Sequence, residues 1–198
     1  MRNPRPLKRR VRAALAPYES QPSISASGLL QGGNDRAFQR LLFDLFTIAD
    51  RLERVRVHVA SRVGLSGPQY SLLRAVASLQ GKDGVSIGTV AEHLHVTSAF
   101  IALQSGVLVQ RGLLSKKEDA TDRRVSRLSL MATGERLVDK MIEEVRPVND
   151  LFFGTLRQDE FEMLAAIVGK LVNSSRNAMV HVSSHEQAAL LSCRDNRL

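Results

Sequence analysis

The run Asp119-Ala-Thr-Asp-Arg-Arg124 sets a carboxylate two residues ahead of an arginine in a short polar stretch. At a hairpin tip, such an arginine can enter a narrow minor groove, where the negative potential is enhanced. Asp122 can accept from Arg124 and hold its fork in place, and Arg123 adds a second cation. Lys116 and Lys117 stand just before the tip and can meet phosphates. Upstream, Thr97 and Ser98 precede an apolar run. A helix starting there presents free amides and a positive dipole end to a phosphate. Along that helix Ala99 and Ala102 can touch thymine methyl groups, and Gln104 and Ser105 can read base edges or simply pack. Taken alone, each group has a plainer reading: a solvated turn, an ordinary N-cap, exposed lysines.

A second constellation is cationic and aromatic. Arg54, His58 and Arg62 recur at four-residue steps, and Tyr70 and Arg74 repeat that spacing downstream. Where two such helices meet, a cation can receive an organic carboxylate while the ring covers its apolar part. The alternative is solvation, or pairing with Asp50 and Glu53. The histidines point nowhere in particular. His93 and His95 are two apart and face different sides of a helix, and the i, i+4 pair His181 and His185 lacks a cysteine or an obvious third ligand. Cys193 is the single cysteine, which excludes a disulfide scaffold and a multi-cysteine zinc site. No nucleophile elbow, phosphate-binding glycine loop or spaced carboxylate pair occurs. The reading is therefore of a protein that is not an enzyme, with no cofactor and no metal.

The elements that must position these residues follow from periodicity. Phe38, Leu41, Leu42, Leu45, Ala49, Leu52, Val55, Val59 and Val63 predict one helix over 34–62, ended by Gly64. Ser66 and Gln69 form a capping box around Pro68 and open a second helix to about Leu79. After a turn at 81–84, Ser86 caps a short helix over 87–94. His95 and Val96 connect it to a helix that Thr97 caps and Gly112 stops. Two short helices joined by a tight turn make a helix-turn-helix. Strands over 113–118 and 125–130 then enclose the polar tip, which completes a winged helix. Apolar periods over 135–156, with a kink expected at Pro147, and over 159–177 predict two more helices. A weaker helical patch lies near 185–191. The expected architecture is mainly α with a small β-hairpin wing. It divides into a basic N-terminal arm (1–33), an N-terminal dimerisation helix (34–63), the winged helix-turn-helix (64–134) and C-terminal dimerisation helices with a tail (135–198).

Charge sharpens this. The chain of 198 residues carries a net +8, an excess that favours an acidic partner. Six arginines and lysines before residue 33 oppose only Glu19, so the arm holds +5 of it. Prolines 4, 6, 17 and 22 interrupt any long helix there, leaving a passive tail, a DNA-embracing arm or a targeting segment as readings. No stretch approaches the ~18–20 apolar residues of a membrane span.

The segments Leu65-Ser-Gly-Pro-Gln-Tyr-Ser-Leu-Leu-Arg74, Ala91-Glu-His-Leu-His-Val-Thr97, Arg111-Gly-Leu-Leu114, Asp119-Ala-Thr-Asp-Arg-Arg124 and Leu128-Ser-Leu-Met-Ala-Thr-Gly134 resemble, in order and spacing, the MarR family of bacterial transcription regulators. The resemblance runs from about Leu41 to Leu171. It implies a homodimer with terminal helices at the interface, binding to double-stranded DNA at a pseudo-palindromic operator, and repression relieved by a small molecule. Two positions depart from the pattern. The third helix of the winged domain carries no charge where the family has a lysine or arginine, which removes the bidentate guanine contact. Met131 stands where a capping Ser or Thr is usual. The reading is a cytoplasmic DNA-binding regulator released by an effector, with an aromatic carboxylate favoured. The competing readings are a winged-helix module that docks a protein on its uncharged helix, and a metal-responsive regulator using His181 and His185.

Overall fold

The computed structural model describes residues 21–195, with side chains up to Ser184. The cationic stretch before residue 21 and the side chains of His185 and Cys193 lie outside the described residues. The chain divides into two compact units, Met1–Glu53 and Arg54–Leu198.

In the first unit a 3-10 turn at Ser27–Leu29 leads to a bridge between Gln31 and Asn34. Asp35 is buried and accepts from the Ser23 amide (2.6 Å) and from the Gln39 side chain (3.0 Å). Helix α1 (Arg36–Arg62) begins next and continues into the second unit. Its apolar stripe is largely open to solvent: Phe43 and Phe46 are more than two-thirds of the way to full exposure, and only Val59 and Ala60 are buried.

The second unit holds the core. Helix α2 (Gly67–Leu79) starts with the capping box expected of Ser66 and Gln69, with Pro68 in the first turn. Its Leu72, Leu73 and Val76 pack with Val90 of α3 (Ile87–Leu94), Ile101 and Leu108 of α4 (Ser98–Gln110), and Leu128. Burying a leucine or isoleucine of this kind is worth ~1.5–3 kcal/mol, so these few side chains fix the helix-turn-helix on α2. Ser86 and Thr97 each accept from the third amide of their helices, as N-caps do. The turn between α3 and α4 passes through His95, whose left-handed φ of 54° reverses the chain in one residue.

Strands β2 (Leu114–Glu118) and β3 (Ser126–Leu130) form the wing hairpin, with Lys116 opposite Leu128 and Lys117 opposite Arg127. A two-residue strand β1 (Val85–Ser86) adds to β3, giving the order β1-β3-β2. Two residues are too few to show alternation, so this strand was invisible in the sequence. Helix α5 (Ala132–Phe153) contains Pro147 without ending there. Met131 is its N-cap and makes no side-chain cap, as its thioether dictates. Helix α6 (Gln158–Asp195) is much longer than expected and absorbs the weak patch near 185–191. The polar residues 173–177 blur its period, but no glycine or proline after Gly169 stops it.

Candidate nucleic-acid interface

The wing tip is organised by two carboxylates. Asp119 is buried, and one of its oxygens accepts from the Thr121 amide (2.8 Å), the Thr121 hydroxyl (2.6 Å) and the Asp122 amide (3.1 Å). Its other oxygen accepts from Arg127 Nε, and Arg127 reaches on to the Gly84 carbonyl (3.3 Å). Hydrogen bonds from the Thr121 hydroxyl first, then from Arg127, hold the Asp119 carboxyl far below the usual carboxylate range. Arg127 thereby joins the tip, its own strand and the turn before β1. That turn requires Gly84: its φ is +80°, and a Cβ there would stand 2.7 Å from the Leu128 carbonyl.

Asp122 meets Arg124 as the spacing suggested. Arg124 Nε and Nη2 donate to the two oxygens of Asp122 at 3.0 and 3.1 Å, and its amide donates at 3.0 Å. The fork is preset on a side chain that is 91% exposed, with Arg123 exposed beside it. Hydrogen bonding from Arg124 lowers the Asp122 pKa, so the pair stays charged at neutral pH. Lys116 and Lys117 are exposed on β2, and Lys82 faces solvent on the turn at 81–84. Lys82, Lys117 and Arg127 line a cleft of about 400 Å³ against the wing.

On the helix-turn-helix, Thr97, Ser98 and Ala99 are exposed at the start of α4, and the Thr97 hydroxyl accepts from the Phe100 amide (3.2 Å). Ala102 and Gln104 are half-buried. Ser105 is fully buried and donates to the Ala102 carbonyl, so it packs and does not face a partner. Sequence reasoning missed Phe100 and Leu103, which are exposed on the outer side of α4. It also missed Arg127. A hairpin register drawn through the six-residue tip would have set Arg127 near Asp119.

The cationic cluster has a different character. Arg54 and His58 are exposed on α1, while Arg62 Nε and Nη2 donate to the Glu144 carboxylate of α5 at 2.9 and 3.3 Å. That contact lowers the Glu144 pKa, with lesser help from Lys140 and His58. Tyr70 is half-buried against the core, and burial raises its pKa despite the nearby Arg74 cation. A carboxylate arriving at Arg62 therefore competes with one already in place. Among the described residues, no three His, Cys, Asp or Glu side chains gather as a metal site, and no helix is long and apolar enough to cross a membrane.

No family model matches the chain. Individual proteins do. The transcriptional regulator HosA of Escherichia coli O157:H7 is 31% identical over 110 residues, covering 56% of this chain and 79% of HosA. The HTH-type transcriptional repressor MdtR of Bacillus subtilis (strain 168) is 21% identical over 123 residues, covering 62% of this chain and 79% of MdtR. Among solved structures, CouR from Rhodococcus jostii RHA1, bound to p-coumaroyl-CoA, superposes with a TM-score of 0.60 at 20% identity, covering 66% of this chain and 90% of CouR.

Proposed function

The chain belongs to the MarR family of winged helix-turn-helix transcription regulators, which bind DNA and are not enzymes, and on that premise we propose that it is a homodimeric, effector-released repressor acting in the cytoplasm. The observation that carries the DNA side is the preset Arg124 fork on an exposed wing directly after a capped helix-turn-helix. In this reading Arg123 and Arg124 enter the minor groove. Lys116, Lys117, Thr97 and Ser98 hold phosphates, and Ala99, Ala102 and Gln104 lie against base edges. A homodimer places two such units on a pseudo-palindromic operator. The pairing helices are 34–63 and 135–198; among their described residues Leu41, Phe43, Phe46, Leu151, Phe161 and Met163 stand exposed in the single chain.

The effector is an aromatic carboxylate received by Arg54, His58, Arg62, Tyr70 and Arg74. Glu144 supports this reading, because it shows that the Arg62 fork already takes a carboxylate in the bidentate manner. Release requires the ligand to prefer the conformation that does not bind DNA. The test selects a duplex from a random library with the full chain, then titrates benzoate-like and uncharged aromatic compounds against the complex. Glu144→Gln, which withdraws the internal competitor, lowers the carboxylate concentration needed for release. Equal action by uncharged aromatics would refute the arginine site while leaving effector control intact.

A further inference from the structure

Helix α4 has no charged side chain anywhere between Ser98 and Gln110. Ile101, Ser105 and Leu108 hold its inner side in the core. On the outer side Ala99, Phe100, Leu103 and Val107 are exposed, and Leu103 is 68% exposed. These residues are three and four apart and form one stripe. In a helix-turn-helix this second helix is the one that lies in the major groove. Without lysine or arginine it cannot make the bidentate contact to guanine O6 and N7. What the groove offers an apolar side chain is the C5 methyl group, which only thymine carries.

We propose that this chain reads its operator chiefly through thymine methyl groups, with Leu103 and Phe100 as the specificity-determining residues. The proposal rests on the DNA-binding reading above and names what that surface recognises. The surroundings of the stripe select a nucleic acid over an apolar protein partner. At one end are the exposed Thr97, Ser98 and the free amides of a helix start, and the wing that follows carries Lys116, Lys117, Arg123 and Arg124, all exposed. Such a frame complements a polyanion, whereas a hydrophobic partner would offer those cations no anion. Within the frame the phosphate contacts supply affinity without sequence, and the stripe supplies the sequence. Burying one methyl group is worth about a fourfold change in affinity, so four across a two-fold operator compound to about two hundredfold.

The experiment uses the full chain and the duplex it enriches most from a random library. Each thymine is replaced in turn by uracil, which removes the methyl and nothing else, and affinity is read by fluorescence anisotropy at fixed salt. The expected result is a loss of about fourfold at two or more positions per half-site. Leu103→Ala then binds the thymine and uracil duplexes equally at those positions with an unchanged melting temperature, because the side chain is mostly in solvent. Phe100→Ala provides a second cycle at neighbouring positions. Uracil that is neutral everywhere overturns the proposal. So does a Leu103→Ala protein that binds every duplex as the parent does, the result expected if the stripe docks a protein. A library that enriches no duplex, together with binding that ignores salt, sinks the DNA reading itself. Specific, salt-dependent binding with neutral uracil sinks only the methyl readout.

Discussion

Arg124 and Asp35 show how differently two charged contacts in one chain can act. The Arg124 fork is held by Asp122 at a solvent-exposed tip, so the contact orients a cation and adds little to stability. We expect Arg124→Ala to weaken specific DNA binding by ~1–3 kcal/mol while the thermal midpoint stays where it was. An anisotropy titration on the selected operator, paired with a circular dichroism melt, reads both. Asp35 instead closes the turn before α1. Hydrogen bonds from the Ser23 side chain first, then the Ser23 amide and Gln39, lower its pKa to about 2. An unfolded aspartate titrates near ~3.9, so the contact is present in full above that pH and is lost as pH falls through the folded value. Melts of the parent between pH 4 and pH 2 should therefore lose midpoint in part through this residue, and Asp35→Asn should show a shallower acid decline. An identical decline in the two proteins would remove Asp35 from the account. Asp122 and Arg124 were legible in the sequence because two residues of one turn can find each other locally. Arg127 took more: its contact with Asp119 needs the hairpin register to be drawn, and its second acceptor, Gly84, lies 43 positions back, beyond any local signal.

Among the elements, those announced by local chemistry were legible, while the two-residue strand β1 and the full length of α6 were not. The capping box at Ser66, the caps at Ser86 and Thr97, and the stop at Gly112 each need only a few neighbouring residues, and each occurs. Strand β1 exists only because β3 offers it an edge, and α6 continues only because nothing interrupts it. Two helical glycines give opposite expectations from the same substitution. A Cβ on Gly134 would stand 2.1 Å from the Leu113 carbonyl, where the first turn of α5 crosses the start of the wing. Gly134→Ala should destabilise by ~1–3 kcal/mol, as forced overpacking does. Gly106 in α4 has open space where its Cβ would go. Gly106→Ala should stabilise by ~0.5–1 kcal/mol, since alanine removes the entropy cost of glycine in a helix. Urea denaturation of the two variants and the parent decides the matter. Equal signs would mean that the close approach at Gly134 is relieved by a shift of α5.

For the whole molecule the dominant fact is apolar surface that the single chain leaves open. Leu151 is 85% exposed, Phe161 59% and Met163 66%, and every residue of α6 from Phe161 to Leu171 is exposed. Such stripes exceed what a soluble monomer ordinarily shows to water. A homodimer should appear in light scattering at micromolar concentration, and the thermal midpoint should climb with concentration, since pairing stabilises the folded state by mass action. A midpoint unchanged over a hundredfold dilution would contradict it. Periodicity made these stripes legible, and their length already exceeds what one winged helix can cover; which of their residues turn inward, Ala60, Val63, Val138 and Met141 joining the winged domain's core, depended on the fold. In the proposed homodimer the same open faces would make the chain a gauge of its own abundance. Where single chains predominate, halving their number lowers the paired form about fourfold, by the same mass action. Dilution at cell division, or a pause in synthesis, would then lift the proposed repression more steeply than the fall in protein itself.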